Sequence, residues 1–476
     1  MSEISIALNR FGYGLKRGET APLDARAYLL RQLKEFDPRP GALGSRPDTS
    51  GEAASLTRTL RSAFKSMREK AAAKAGGSDQ SPPKMSREER ISALPPALRT
   101  KAREAYGRLQ ADTAMRIEIA IASPNPFAER LVHFWSNHFT VTSQKGGARF
   151  EVGNHEFNAI RPHVTGRFSD LLKAAVLHPA MLIYLDQFQS AGPNSRFGKT
   201  RRGRRGLNEN LAREILELHT LGVDGGYSQA DVTEFARALT GWTVSGMARV
   251  KFAAEPQAGG AGFIAAAHEP GDRKVLGRTY ADTGAKQAIA ILDDLATHPS
   301  TARFVATKLA RHFCADDPPP SLVARLERDF LRSGGDLNSL AQTLVQSPEP
   351  WQSEHVKFRQ PFEWFIAAMR FTGVDDLPAR RANGVLRALG QMPWQAPSPA
   401  GFDDHASSWA GPEALLRRVE LAEQIARQVP ADDILNRAEN AFPDALSDHT
   451  RDWLSRAESG RQALALMLIA PEMLRR

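Results

Sequence analysis

At 476 residues, 42% hydrophobic and 25% charged, the chain has an ordinary globular composition with material for a large core, and no run approaches the roughly 18 apolar residues of a membrane helix. Its formal charge of +9 favours anionic surroundings such as polyanionic glycans, phospholipid surfaces or nucleic acid. Zinc-finger, RNA-binding and DNA-reading signatures do not accompany that charge, and the single cysteine, Cys314, excludes an intrachain disulfide framework and a cysteine zinc site.

The chain opens on MSEISIALNRFGYG, with an acidic third residue and no apolar stretch before Arg10, so as written it reads as a soluble cytoplasmic protein without a secretory signal. Residues 4–33 predict a helix, a glycine-containing bend at Phe11 to Leu15 and a second helix from Asp24. Residues 37–96 are rich in Pro, Gly, Ser, Ala, Lys and Arg. They are expected to form a flexible, partly helical insertion outside the main core, with one exposed helix near Ala53 to Lys74. A long helix follows from Pro96 to Ala122, and the string SPNP, Ser123 to Pro126, ends it and starts the next. In that next helix Phe127, Leu131, Phe134 and His138 share a face at i, i+4, i+7 and i+11, so His138 lies in an apolar stripe while His133 projects to the polar side. Such a histidine is either a satisfied core residue or a functional group. In HPAMLIYLDQF, Pro179 opens a short helix ending near Asp186, which either caps it or joins a polar cluster.

A basic loop comes next, GPNSRFGKTRRGRRG. Arg196, Lys199, Arg201, Arg202, Arg204 and Arg205 form either a solvated loop or an anion-binding lid. It resembles a phosphate-binding loop only loosely, being one residue too long between Gly192 and Gly198 and lacking a preceding strand. The central stretch, Leu207 to Trp242, reads as a helix hairpin. Leu207, Leu211, Ile215, Leu218 and Leu221 fall on one arc with Glu214 inside it; Asn210 and Glu217 flank one border, and Asn208 and His219 lie near the other. Glu209 and Arg213 form an outer i,i+4 pair. Gly222 stops the helix, and Ser228 with Asp231 makes a capping box for a second helix carrying Val232, Phe235, Ala236 and Leu239.

After Trp242 the pattern changes to period two. ARVKFAA, GGAGFIAAAHEP and RKVLGRTY predict a small antiparallel β-ribbon over residues 244–281, with His268, Glu269 and Asp272 in its turn. Helices return at Asp282 to Leu295, Pro299 to Phe313, Ser321 to Leu331, Leu337 to Gln346 and from Pro361. A proline-rich loop, QMPWQAPSPAGFDD, follows Leu389, and long helices from Pro412 and near Asp452 close the chain. The fold expected is mainly α: one multi-helix globular body over residues 1–476, with the hairpin at its centre and insertions at 37–96 and 244–281.

A buried Glu without a partner would be neutralised, so Glu214 needs Arg, His, a metal or hydrogen-bond donors. Two polar residues on apolar faces, Glu214 and His138, suggest a shared cluster. Glu214, His138, Glu217 and His219 are therefore the catalytic candidates, and with Asp186 they would suffice for a divalent metal if they converged. Arg201, Arg202, Arg204 and Arg205 are the anion-binding candidates. HExxH, GxSxG, GxGxxG and the ExxH pairs of di-iron bundles are all missing.

The strings FWSNHF, HPAMLIYLD, LNENLAREILELHTLGVDGGYSQADVTEFARALTGW, KFRQPFEW and LGQMPWQAPSPAGF, in this order, resemble the bacterial family catalogued as domain of unknown function 1800. The resemblance spans nearly the whole chain. It implies a predominantly helical protein, found in many members behind an export signal, so a periplasmic location is the alternative to the cytoplasm. It also implies a sulfatase-like partner family encoded nearby, and it supplies no established reaction. The chain departs from the pattern in starting at the family's first element and in having His268-Glu269 where an Asp commonly follows the His. Two functions remain. One is a hydrolase-like enzyme acting on a polymeric or envelope-related anionic substrate. The other is a non-catalytic scaffold or binding module whose basic loop grips an acidic partner.

Overall fold

The computed structural model describes residues 2–44, 46, 94–200, 206–245, 255–353, 357–374 and 378–476, with residues 59, 62, 63, 66 and 87–92. The chain is mainly helical with two small antiparallel sheets. No described helix is long and apolar enough to cross a membrane. The expected insertion at 37–96 lies largely outside the described residues. Of its described parts, Arg46 reaches Asp112 at 2.7 Å and Asn154 at 2.6 Å, and Ile91 and Leu94 pack on Ala102 and Ala105 in a small cluster of their own.

Local signals start most helices where the sequence places them. Asp24 accepts from the Ala27 amide and opens the Ala25–Lys34 helix, as a short carboxylate at the N-cap does. Prolines occupy the first turns of the helices Pro96–Ala122, Pro126–His138, Pro179–Tyr184, Pro299–Phe313 and Pro361–Thr372, positions whose amides have no intrahelical partner to lose. The long terminal helices expected from Pro412 and Asp452 are instead a series, Pro412–Ala426, Ile434–Ala441, Asp448–Ser455, Gly460–Ile469 and Pro471–Leu474. Pro430 ends the first segment's run, Asp433 and Asp444 take left-handed backbone, and Ser447 and Ser459 cap new starts.

Two large apolar cores result among the described residues. One gathers Phe11, Phe127, Trp135, Phe168, Phe235, Phe313 and Phe330 from the N-terminal and central helices. The other is built around the Pro361–Thr372 helix, which is buried on every side, with Leu386, Leu464 and Met467. The Pro126–His138 helix belongs to the first core and is also buried nearly all round, not only along one stripe; His133 and Asn137 are its partly exposed residues after the first turn. Spaced by four, these two open on the same side.

The central hairpin has the expected turn and capping box: Gly222 sits at φ +86°, and the side chains of Ser228 and Asp231 each bond the other's backbone amide. The phase of its first helix is different. The α-helix covers only Asn210–Glu214 and widens into a π-helix at Ile215–His219. Leu211, Ala212, Ile215, Leu216 and His219, which share one arc of the helix, are buried, while Leu218 is only half-buried. Glu214 is therefore not at the centre of the buried stripe but half-buried at its edge.

The β region is two units and not one ribbon. Trp242–Val244 and Glu255–Pro256 flank Ala261–Phe263 in one antiparallel sheet, and Arg273–Val275 pairs with Arg278–Tyr280 in a separate hairpin. The expected strand ARVKFAA lies outside the described residues. Glu269 is buried and does more than form a turn: its carboxylate accepts from the Asn194 amide at 2.8 Å and from Asn194 Nδ2 at 2.6 Å. The GPNSRFG segment is thus folded onto the β region, with Ser195 Oγ bridging Gly192 O and the Gly198 amide. Arg201, Arg202, Arg204 and Arg205 lie outside the described residues.

Candidate functional site

A half-open cleft of about 460 Å³ lies where the two cores meet. The Pro126–His138 helix contributes Arg130, His133, Asn137 and His138; the Pro299–Phe313 helix contributes Lys308, Arg311 and His312 from successive turns of one face; and the first turn of the Pro361–Thr372 helix contributes Phe362 and Glu363. The remaining wall is the proline-rich loop from Gln391 to His405.

That loop is held in an unusual path. Trp394 adopts φ +55°, a region costly for a bulky side chain. Its carbonyl accepts from the Ser143 amide at 2.7 Å, and its indole N–H donates to Glu156 at 2.8 Å. Gly401, at φ +88°, passes so close to Asn137 that a Cβ would stand 2.6 Å from the Asn137 carbonyl oxygen. The Asn137 side chain then bonds both the amide and the carbonyl of Phe402, at 2.8 and 2.9 Å.

The carboxylates at the base of the cleft are fully engaged. Glu363 accepts from Arg130 at 2.7 Å and from Arg476 at 2.9 Å. Burial alone would raise its carboxyl, but the guanidiniums of Arg130 and Arg476 outweigh it and hold the group at about 2. Asp404 accepts from His312 Nδ1 and from Gln360 Nε2, each at 2.9 Å, with Lys357 at 3.7 Å. Burial opposes its ionisation too, yet His312 and Lys357 keep it far below the usual carboxylate range. The second nitrogen of His312 meets Arg130 at 3.1 Å. Arginine can only donate, so that nitrogen accepts and Nδ1 carries the proton given to Asp404. Burial also lowers His312, and the ring is a neutral strut with no free valence for chemistry.

Two other groups are less committed. His133 pairs through Nδ1 with the Tyr13 hydroxyl and sits edge-on to Phe362 at 4.9 Å; burial, then Arg116, push it well below its ordinary value. Arg116 itself is tied to Glu156 at 2.8 Å. Lys308 has no hydrogen bond or ion pair among the described residues and lies 5.5 Å from the Phe304 ring. Burial and the neighbouring Arg311 lower its ammonium to about 8, against the attraction of Asp404.

The sequence candidates divide. His138 lines the cleft and donates from Nε2 to the His219 carbonyl at 3.0 Å, leaving a buried Nδ1 without a partner among the described residues. Its ring lies 6.1 Å from that of His219, whose two nitrogens are likewise buried and without a hydrogen-bond partner among the described residues. Burial, with Lys308 next, depresses both imidazoles, His219 to about 3. His138 and His219 are thus together, but Glu214 is not with them. Burial and then Glu217 raise the Glu214 carboxyl, Arg213 opposes them, and Glu214 in turn bears on Tyr184. Glu217 pairs with Arg213 at 3.3 Å and Asp186 with Lys145 at 2.6 Å. No group of three His, Cys, Asp or Glu among the described residues is arranged to hold a metal ion, so the five proposed ligands do not converge there. Helical phase is the reason: Glu214 and Glu217, three residues apart, lie on one side of the helix, and His219, on the buried arc with Ile215, lies on the other.

This arrangement leads to a prediction. Glu214→Gln and His138→Gln should be additive within about 0.5 kcal/mol in a double-mutant cycle followed by urea denaturation, since the two share no partner. A coupling of 2 kcal/mol or more, on the scale of a buried contact pair, would restore the shared cluster.

Sequence periodicity did not find Lys308, Arg130, Glu363 or Asp404. A usable signal existed: FWSNHF, KFRQPFEW and LGQMPWQAPSPAGF all border the cleft, whereas the long hairpin string contributes no lining residue. The fold and site together define a mainly helical protein with a cationic cleft between two cores. The chain belongs to the family described as protein of unknown function (DUF1800), whose model matches residues 6–475. No curated protein and no solved structure matches it.

Proposed function

We propose that this chain binds an anionic ligand in the cleft, such as a carboxylate-, sulfate- or phosphate-bearing unit of an envelope-related polymer, and acts on it as a hydrolase-like enzyme. Lys308 meets the ligand's charge and His133, backed by Tyr13, serves proton transfer. The carrying observation is the imbalance of charge: the buried carboxylates Glu363 and Asp404 are already engaged, while Lys308 in the same cleft has no counter-ion among the described residues. A half-buried ammonium without a counter-ion is unfavourable, and an anion would relieve it. In this reading Glu214 and Glu217 support the hairpin through Arg213 and lie outside the reacting centre. The bond from His138 to the His219 carbonyl favours a scaffold role for that part of the hairpin.

Titration calorimetry with sulfate, phosphate, citrate and an oligogalacturonate, at constant ionic strength, tests the proposal. Wild-type protein is expected to bind at least one of them saturably. Lys308→Met should weaken binding roughly tenfold or more, the scale of one lost hydrogen bond to a charged group, while Lys34→Met on an exposed helix position should not. Equal binding by Lys308→Met and wild type would overturn the assignment.

A further inference from the structure

The same corner of the cleft has the features of a reactive amine site, a step that rests on the anion-binding reading above and goes beyond it. Lys308 combines three circumstances. Its nitrogen is unclaimed by any hydrogen bond or ion pair among the described residues. On one side are the face of the Phe304 ring at 5.5 Å and the two neutral imidazoles His138 and His219; on the other, burial and Arg311 one turn further along the same helix disfavour the charge against the more distant attraction of Asp404. It also faces a cavity large enough for a small substrate. Exposed lysines are ion-paired or hydrated and protonated; desolvation beside another cation is how a lysine becomes a nucleophile at neutral pH. Arg311 uses its Nε–H on the Asp316 carbonyl at 2.9 Å, and its terminal nitrogens have no partner among the described residues.

We propose that Lys308 is a catalytic amine that forms an imine with an anionic carbonyl compound, an aldehyde or ketone carrying a carboxylate that Arg311 receives. The neutral amine attacks the carbonyl carbon, forming the C–N bond as the C=O π pair moves to oxygen. A proton passes from nitrogen to that oxygen, giving a carbinolamine. Its hydroxyl takes a second proton from solvent in the half-open cleft and leaves as water, while the nitrogen lone pair closes the C=N bond. One carbonyl compound and one proton are consumed, one water is released, and nothing is oxidised or reduced.

With its ammonium lowered to about 8, against 10.5 for an ordinary lysine, Lys308 carries roughly two-hundredfold more free amine at pH 7.5. The test uses the full chain at that pH with glyoxylate as probe and cyanoborohydride to trap the imine, followed by peptide mapping. Lys308 is expected to be alkylated roughly tenfold or more faster than the exposed Lys34, faster with glyoxylate than with neutral acetaldehyde, and less when sulfate competes. Lys308→Arg, which keeps the charge, should retain anion binding and lose the fast label. Labelling of Lys308 no faster than Lys34, in protein whose anion binding depends on Lys308, overturns the imine and leaves the binding site standing. Absence of both anion binding and selective labelling in wild-type protein overturns both readings.

Discussion

Replacing Glu363 by Gln is expected to cost about 3 to 5 kcal/mol of stability, because it leaves the buried guanidiniums of Arg130 and Arg476 without their shared carboxylate. Both arginine side chains are 1% exposed, so water cannot take the carboxylate's place without opening the core. The pH dependence follows from the same contact. The group's folded value of about 2 lies below its ordinary 4.5. Its stabilisation is therefore complete above about pH 4.5 and is lost as pH falls toward 2. Urea denaturation at pH 7 and at pH 3 checks both statements. The deficit of Glu363→Gln should shrink at the lower pH, and a loss under about 1 kcal/mol at pH 7 would show that the arginines are satisfied elsewhere.

Asp404→Asn is expected to cost about 1.5 to 3 kcal/mol and to free one wall of the cleft. The carboxylate takes hydrogen bonds from His312 and Gln360. Bonds to a charged group contribute roughly 1.5 to 3 kcal/mol each, and the Asn oxygen recovers part of the two. Asp404 closes the loop that begins at Gln391, and the loop's other ties include the bonds of Gln391 to the Phe362 amide and Gln360, the Asn137 bonds to Phe402, the Trp394 bonds to Ser143 and Glu156, and the bond from Lys357 to the Asp404 carbonyl. Limited proteolysis should therefore cut between Gln391 and His405 sooner in Asp404→Asn than in wild type, ahead of global unfolding. Unchanged cleavage in this loop would show that the remaining ties suffice.

Helix starts were legible because their signals are local. Asp24, Ser228 and the prolines at 126, 179, 299 and 361 act on amides within one turn of themselves. The hairpin's turn and capping box could be read for the same reason. The phase of its first helix could not. Counting Leu207 and Leu218 as core placed Glu214 in the apolar stripe, but the buried arc is Leu211, Ala212, Ile215, Leu216 and His219, which leaves Glu214 at its edge. Periodicity also ranked His133 as merely polar. Its value lies in contacts with Tyr13, 120 residues earlier, and Phe362, far later in the chain.

What the sequence by itself determined is the helical class, the starts of most helices, and a family resemblance three of whose strings border the cleft. These depend on interactions that reach no further than a turn or two, or on residue identity alone. Only the tertiary structure decided which charges meet. Glu363 and Arg476 are 113 residues apart, and His312 and Asp404 are 92 apart. No helical period links them, and each carboxylate's state is set by burial against cations brought from other elements. Lys308 stands out for the converse reason: the fold that pairs these groups brings no carboxylate among the described residues within ion-pair reach of its nitrogen.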